Sequence, residues 1–230
     1  MSAASKVAGD CVDGFLFVGN RPILDFLNTR PVLADGPTEL LPDVAALERW
    51  LIAAGIVNSA KAKRLVRAWR DSPEAAKFLK DLLEFRERLR DAVLRLERRL
   101  APTDEFIQEV NRGLRKHPPT TLLLKQEGRM VRERLLDLER PTDLWPLIFE
   151  DTADLLSEPE IDRIRKCEAC VVHFFDASKK GSRRWCSMNI CGNRLKVAAY
   201  QRRKLDRGSV RLALHTAKPA SVHKSNPPRR

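Results

Sequence analysis

Four cysteines in the last third of the chain have the spacing of a metal site. Cys167 and Cys170 form a CxxC pair, and Cys186 and Cys191 form a second close pair after fifteen intervening residues. Each short loop can present two sulfur atoms to one ion, and the segment between the pairs needs to fold back only once. The spacing therefore predicts one tetrahedral Zn²⁺ site of four thiolates. Such a site leaves no coordination position for water and favours a structural metal.

Two disulfides or four buried thiols are the alternative interpretations of these cysteines. The first residues lack the apolar segment of a signal peptide, and no stretch approaches the roughly 18 apolar residues of a membrane helix. A cytoplasmic protein without membrane contact is therefore expected, and paired cysteines in that compartment bind metal more often than they form disulfides. Cys11 stands alone and is expected to be a free thiol.

Positive charge is concentrated around the same cysteines. Residues 161–230 contain 18 lysines and arginines and 4 acidic residues, a net charge of +14. Residues 1–160 contain 25 and 27, a net charge of −2. Charge segregated in this way predicts a nucleic-acid-binding module. An anionic membrane or an acidic protein is the alternative partner.

The first 160 residues show mainly helical patterns. Apolar residues recur at helical spacing behind capping residues, and the longest stripe begins after Ser72 and Pro73. Glu127-Gly128 between two apolar runs is a hairpin turn signal. The patterns predict a strand over 15–18, helices over 23–29, 43–54, 60–70, 73–100, 103–116 and 144–157, and a hairpin over 120–136. On the exposed face of the longest helix, Glu84–Arg88 and Asp91–Arg95 are expected to form ion pairs.

Sequence signatures of catalysis are missing from the chain. It contains no glycine-rich phosphate loop, no HExxH and no GxSxG sequence. Metal-dependent nucleases built on similar zinc folds need a histidine pair and a general base, and only His173 lies near the cysteines. We therefore expect that the protein is not an enzyme.

The cysteine-containing segment predicts a zinc knuckle, a hairpin and a helix. Residues 171–176 and 183–186 flank a polar turn and are expected to pair, and a helix should run from Cys191 to about Leu205. A knuckle and a hairpin followed by a helix that carries the last ligand resemble a treble-clef zinc fold. The dipole of that helix is expected to lower the pKa of the Cys191 thiol.

One face of the predicted C-terminal helix is suited to DNA. Asn and Arg side chains can form paired hydrogen bonds with base edges, and basic side chains nearby can contact phosphates. The predicted base-contacting residues are Asn193, Lys196, Tyr200, Arg203 and Arg207. The predicted phosphate contacts are Arg183, Arg184, Arg202 and Lys204, and Arg194 completes the DNA-binding set. A solvated basic helix without a defined register is the alternative.

Several of these segments together resemble a known domain pair. The sequences Cys167-x-x-Cys170, Phe175-Asp-Ala-Ser178, Arg183-Arg-Trp-Cys-Ser-Met188 and Cys191-Gly-Asn-Arg-x-Lys196 resemble the CGNR zinc finger. Phe17 and the stretch Leu24-Asp-Phe-Leu-Asn-Thr-Arg30 resemble the ABATE domain, which commonly precedes that finger in bacteria. Proteins with this pair are regarded as stress-induced transcription regulators.

The residue patterns and the resemblance together predict an α+β, mainly α fold in which a helical domain with a small β-hairpin precedes a treble-clef-like finger. Its expected parts are a disordered N-terminus (1–10), the ABATE-like domain (11–160), the finger (161–207) and a basic disordered tail (208–230). The implied function is zinc-dependent DNA binding. A zinc-stabilised RNA- or protein-interaction module without catalytic activity is the alternative.

A polar cluster in the N-terminal domain is a candidate effector site. Asp25, Asn28, Thr29 and Arg30 lie beside an apolar run and could line a pocket for a small-molecule effector, but capping and turn formation are the commoner uses of such residues and are the favoured interpretation. The domain could also form a homodimer, which a palindromic DNA target would require.

Overall fold

The computed structural model describes residues 10–33 and 36–193 and shows a mainly helical α+β fold, as predicted. The helices are α1 (Pro22–Leu27), α2 (Val44–Ala53), α3 (Ala60–Trp69), α4 (Pro73–Glu97), α5 (Asp104–Lys116) and α6 (Trp145–Leu156). The strands are β1 (Asp10–Val12), β2 (Phe15–Phe17), β3 (Val32–Leu33), β4 (Gly36–Pro37), β5 (Thr120–Gln126), β6 (Arg129–Leu135), β7 (Ile164–Lys166) and β8 (His173–Phe175). Successive strands pair into four two-stranded antiparallel sheets.

Helices α2 to α5 begin where their capping residues predict. The side chains of Asp43, Ser59, Ser72 and Thr103 each accept a hydrogen bond from the backbone N–H three residues later, at 2.7–3.3 Å. These bonds satisfy amides that have no partner inside the helix. The end of α4 differs from the prediction, because the helix stops at Glu97 and the chain then turns. The end of α4 carries no glycine signal, because Arg99 takes the positive φ angle (59°) that a glycine usually adopts there.

A single apolar core holds the helices together, with α4 at its centre. The ring of Phe85 on α4 lies 5.3 Å from the ring of Phe149 on α6 and 5.8 Å from that of Phe106 on α5. Gly113 of α5 packs against Phe149 of α6, since a Cβ atom there would lie 2.4 Å from the Phe149 ring. The helix pair can pack this closely only because residue 113 has no side chain.

The ion pairs expected along α4 are replaced by contacts with other segments. Arg88 binds both carboxylate oxygens of Glu109 on α5 at 2.7–3.1 Å, instead of Glu84. Arg95 donates to the carbonyl of Ala101 at 2.7 Å, instead of pairing with Asp91. The predicted pairs apply to α4 as an isolated helix. In the folded protein, α5 and the segment that follows α4 offer better-placed acceptors to Arg88 and Arg95.

The β5–β6 hairpin forms as predicted and projects from the helices. Its register runs from Thr120 opposite Leu135 to Gln126 opposite Arg129, and the turn residues Glu127 and Gly128 have φ angles of 49° and 78°. Two consecutive positive φ angles are typical of the two-residue turn that matches strand twist.

Residues 161–193 pack directly on the helical domain. Ile164 of β7 and Phe175 of β8 are buried in the main core, and Val18 is buried among Cys167, Cys186 and Cys191. Each of the two apolar clusters therefore contains side chains from both the helical domain and residues 161–193. No helix in the described part of the chain combines the length and the apolar character needed to cross a membrane.

The strand pairing predicted inside the finger was wrong. Strand β8 pairs with β7, which precedes the first cysteine pair, and residues 183–186 form no strand. Asp176 explains the difference, because its carboxylate accepts hydrogen bonds from the amides of Ser178 (3.0 Å) and Arg183 (2.7 Å). These bonds close the intervening segment into a loop, in which residues 183–186 form no strand.

Candidate metal centre and nucleic-acid interface

The four predicted cysteine ligands converge on one point. Their sulfur atoms all lie within 4.8 Å of one another, with Cys170 Sγ 3.6 Å and Cys191 Sγ 3.8 Å from Cys186 Sγ. A tetrahedral zinc ion with Zn–S bonds of about 2.3 Å separates its sulfurs by about 3.8 Å, whereas a disulfide needs about 2.05 Å. All four cysteines are free. The cluster is positioned to bind one metal ion, and its spacing and donor chemistry fit Zn²⁺.

Backbone hydrogen bonds position the first cysteine pair. The amide of Cys167 donates to the carbonyl of Val172 at 2.8 Å, and the amide of Val171 donates to the carbonyl of Cys167 at 3.0 Å. Val171 adopts a φ of 54°, which turns the chain sharply after Cys170. The knuckle thus lies in the connection between β7 and β8.

Ser187 organises the second pair. Its hydroxyl accepts hydrogen bonds from the amides of Asn189 (3.2 Å) and Ile190 (3.4 Å), and its carbonyl accepts one from Cys191 (3.0 Å). These bonds cap a single wide helical turn over Met188–Gly192. The turn brings Cys191 back to Cys186.

The four thiols lie so close together that ionisation of one makes ionisation of the others less favourable. A hydrogen bond from Cys186 lowers the pKa of Cys170 to about 5, and the same bond, together with burial, raises the pKa of Cys186. Burial, together with the neighbouring thiols, raises the pKa of Cys191 to about 12. A divalent cation would remove this competition by neutralising the thiolates.

Asn28 joins the finger to the helical domain. Its side-chain amide donates to the carbonyl of His173 at 2.8 Å, and its side-chain oxygen accepts from the amide of His173 at 2.9 Å. Further along β8, the amide of Phe175 donates to the carbonyl of Gly19 at 2.8 Å, and Asn20 donates to the Phe175 carbonyl at 2.8 Å. The backbone groups on the edge of β8 that does not pair with β7 therefore form hydrogen bonds with the helical domain.

The imidazole of His173 lies on the same junction. It is buried, and its Nε2 lies 3.4 Å from a carboxylate oxygen of Glu97 at the end of α4. Burial raises the pKa of Glu97, but the neighbouring His173, with Lys166 and Arg98, leaves it below its usual value. The last turn of α4 thus contacts the finger directly.

The polar cluster predicted as an effector site has mostly internal partners. Asp25 and Thr29 are buried: Asp25 accepts from the amide of Gly19 at 2.7 Å, and Thr29 donates to the Phe26 carbonyl at 2.7 Å. Together with Asn28, they hold the turn before α1, the end of α1 and the junction with the finger. Arg30 differs, because it lines an open cavity of about 610 Å³ beside α2 and α4. The ligand site itself stays a prediction.

Three of the ten predicted DNA contacts lie in the described residues. Arg183 donates to the Cys186 carbonyl, and its guanidinium lies 5.0 Å above the Phe174 ring, so it braces the metal loop. Arg184 is exposed and forms a bidentate ion pair with Glu168 at 2.6–2.9 Å. Asn193 is exposed at the end of the last described turn.

The other predicted contacts lie outside the described residues. They are Arg194, Lys196, Tyr200, Arg202, Arg203, Lys204 and Arg207. The helix predicted to about Leu205 and the segments predicted to be disordered also lie there, except for Asp10, which begins β1.

A basic groove between the finger and α4 was missed by sequence reasoning. A cavity of about 610 Å³ is lined by Arg99, Arg165, Lys166 and Arg184, with Glu97 among the acidic residues. Arg99 lies far from the finger in sequence, and the packing of α4 on β7 brings it there. No local pattern marks such a groove.

A comparison with models of protein families shows to which family the chain belongs. The model of the ABATE family, described as "Putative stress-induced transcription regulator", matches residues 20–159, more than half of the chain. This chain belongs to the ABATE family. The CGNR zinc finger matches residues 163–204, so the ABATE domain is followed by the finger that carries the four cysteines. Both descriptions are of regulatory or zinc-finger families, and no curated protein matches the chain significantly.

Proposed function

We propose that this ABATE protein is a transcription regulator that binds duplex DNA through its zinc-stabilised C-terminal module. The observation that carries the proposal is the four-sulfur cluster inside the CGNR finger, in the part of the chain with a net charge of +14. A site of four thiolates supplies structural stability, and the positive surroundings supply affinity for phosphates. Action on DNA also agrees with the predicted cytoplasmic location.

The basic groove supports a phosphate-binding role next to the finger. Lys166 and Arg165 are exposed on β7, and Arg99 is exposed just after α4. A DNA strand along this groove would contact both the finger and the ABATE domain, so the helical domain would contribute to affinity. The residues from Asn193 to Arg207 remain the proposed readers of base edges.

Arg184 forms an ion pair with Glu168, and a DNA phosphate would have to displace this carboxylate to take its place. The Glu168 carboxylate accepts hydrogen bonds from Nε and Nη2 on one edge of the Arg184 guanidinium, and both side chains are exposed. Exposed ion pairs are weak, so a phosphate can replace the carboxylate. Glu168→Gln should therefore raise affinity for all duplexes and steepen the logarithmic salt dependence by about one unit.

Fluorescence anisotropy on the zinc-loaded full-length protein tests the proposal. Duplexes selected from a random pool should bind more tightly than matched RNA, and binding should weaken steeply with salt. Lys166→Glu should weaken binding to every duplex, while Lys61→Glu, the same charge change on the exposed start of α3, should have a smaller effect. Equal affinity for RNA, or binding of protein partners only, would favour the interaction-module alternative.

An effector site is supported at one place in the ABATE domain. The cavity beside Arg30 has an apolar floor that includes Leu79 and Leu83 and a charged rim that includes Lys80 and Glu87. A thermal-shift screen of small molecules tests it, with Leu83→Trp as a variant that fills the cavity. A ligand that stabilises both proteins equally binds elsewhere.

A further inference from the structure

The β5–β6 hairpin exposes an unusual amount of apolar surface. It carries five of the ten large apolar side chains that are exposed in the described part of the chain: Leu122, Leu123, Met130, Val131 and Leu135. The exposed fractions of Leu123 and Met130 reach 67% and 60%. A two-stranded hairpin is marginally stable by itself, and exposed strand edges usually carry charges that prevent pairing. Pairing with a further strand would bury part of this apolar surface.

The base of the hairpin is attached firmly to the ABATE domain. Arg134 near the end of β6 forms ion pairs with Glu150 and Asp151 of α6, the second at 3.3 Å. The rest of the hairpin is largely exposed on both faces. A partner would therefore contact an exposed hairpin whose base is held on α6.

The two edges of the hairpin differ in charge. Strand β6 carries three arginines and one glutamate, and antiparallel pairing of two β6 strands about their central residue would place Arg132 opposite Arg132. Like charges directly opposite each other on paired strands are destabilising. Strand β5, with the sequence TTLLLKQ, has Lys125 as its one charged residue. Pairing of two β5 strands about Leu123 places Leu122 opposite Leu124, and Lys125 opposite Thr121.

We propose that the protein forms a homodimer in which the β5 edges of two copies pair antiparallel across a two-fold axis. The result is a four-stranded sheet with the order β6-β5-β5-β6. Directly opposite residues share a face, so Leu122 and Leu124 of both copies form one cluster beside Val131, and the two Leu123 side chains meet on the other face. The contact uses the same residues from each copy, as a two-fold interface requires. The dimer does not depend on the proposed DNA binding.

Molar mass in solution, measured without DNA, tests the dimer. The zinc-loaded full-length protein should shift from 26.2 kDa to twice that mass as its concentration rises. Leu123→Lys would place two like charges on the axis and should raise the dissociation constant at least about tenfold. Met130→Lys is the matched control, because Met130 is similarly exposed on the same face but lies on the outer strand. Its dissociation constant should stay unchanged.

A cross-link tests the register directly. In a Cys11→Ser background, Leu123→Cys should form an intermolecular disulfide under mild oxidation, since directly opposite Cα atoms lie about 4.5–5.5 Å apart. Met130→Cys should not form one.

Three results would overturn the proposal. The first is a monomer at every concentration, and the second is a dimer that Leu123→Lys leaves intact. The third is a monomer whose hairpin amides become protected from hydrogen exchange only when duplex DNA is added, which would assign the hairpin to DNA. None of these results requires the finger to lose its own DNA affinity, so the two proposals fail separately.

Discussion

At the residue scale, the contact between the ABATE domain and the finger depends on a few buried polar side chains. Asn28 satisfies both backbone groups of His173, and Asp25 holds the turn at Gly19 that binds the amide of Phe175. Buried polar groups without partners cost free energy, so these side chains are coupled to the position of β8. The consequences can be measured one residue at a time.

Asn28→Ala should loosen the junction without removing the metal. It leaves the amide and the carbonyl of His173 buried without partners and should lower the free energy of unfolding by about 2–4 kcal/mol. Urea unfolding measures this loss, and zinc analysis should still show one ion per chain. Asn58→Ala, at an exposed asparagine, should change the free energy of unfolding by less than about 0.5 kcal/mol. Equal effects of the two substitutions would contradict the junction role of Asn28.

Asp25 should make stability depend on pH. Burial raises the pKa of Asp25 from 3.8 to about 7, despite hydrogen bonds from the amides of Gly19 and Val18. The folded protein therefore holds a proton that the unfolded chain releases, and this stabilisation is present at low pH and lost as pH rises towards about 7. Relative to Asp25→Asn, the wild type should lose about 2 kcal/mol between about pH 5.5 and pH 8.

Urea unfolding of both proteins across that range gives the difference curve. The comparison with Asp25→Asn cancels the contributions of other ionisable groups. A flat difference, or one that rises with pH, would show that Asp25 is ionised in the folded protein.

At the scale of elements, close packing of α5 on α6 requires a glycine. Gly113 lies inside α5, where glycine normally costs about 1 kcal/mol relative to alanine, yet a Cβ atom would lie 2.4 Å from the Phe149 ring. The Phe149 ring also packs against Phe85 of α4, with the ring centroids 5.3 Å apart. Overlap with a packed ring outweighs the gain in helix propensity.

Gly113→Ala should therefore destabilise the protein by about 1–3 kcal/mol, although the same change stabilises most helices. Urea unfolding measures the effect. In a Phe149→Leu background the smaller side chain leaves room, and the same substitution should cost less or become favourable. A stabilised Gly113→Ala protein would show that α5 and α6 are packed less tightly than described.

At the scale of the whole molecule, the long helix α4 connects the two parts of the chain. It forms the centre of the ABATE core and ends at Glu97, beside His173 of the finger. The helices described between Pro22 and Leu156 belong to the main core, whereas the cluster around the metal site has six buried apolar residues. The larger core should not need the metal, and the smaller one should.

Zinc removal should therefore unfold the finger selectively. A strong chelator should leave most of the helical circular dichroism intact and make the segment after residue 160 sensitive to proteases. Cys186→Ser should behave like the chelated protein, and Cys11→Ser should behave like the wild type, because Cys11 lies outside the cluster. Loss of most helical signal on chelation would show that the ABATE core depends on the finger.

Features with local causes could be predicted from the sequence. The starts of α2 to α5 follow from a capping side chain and the amide three residues later, and the β5–β6 turn follows from Glu127 and Gly128. The four metal ligands could also be predicted, because two short pairs can present their sulfurs to one ion wherever the intervening loop goes. The excess of positive charge after residue 160 is a property of composition alone.

Only the tertiary structure decided which distant groups meet. Strand β8 pairs with β7 rather than with residues 183–186, Asn28 binds His173 across the junction, and Arg99 lies in a groove with Lys166. Each segment has several partners of similar local suitability, so its spacing and composition do not distinguish them. The choice depends on which arrangement buries Ile164, Phe175 and Val18 while also pairing the backbone groups of β8. That condition applies to the whole folded chain and has no local signature.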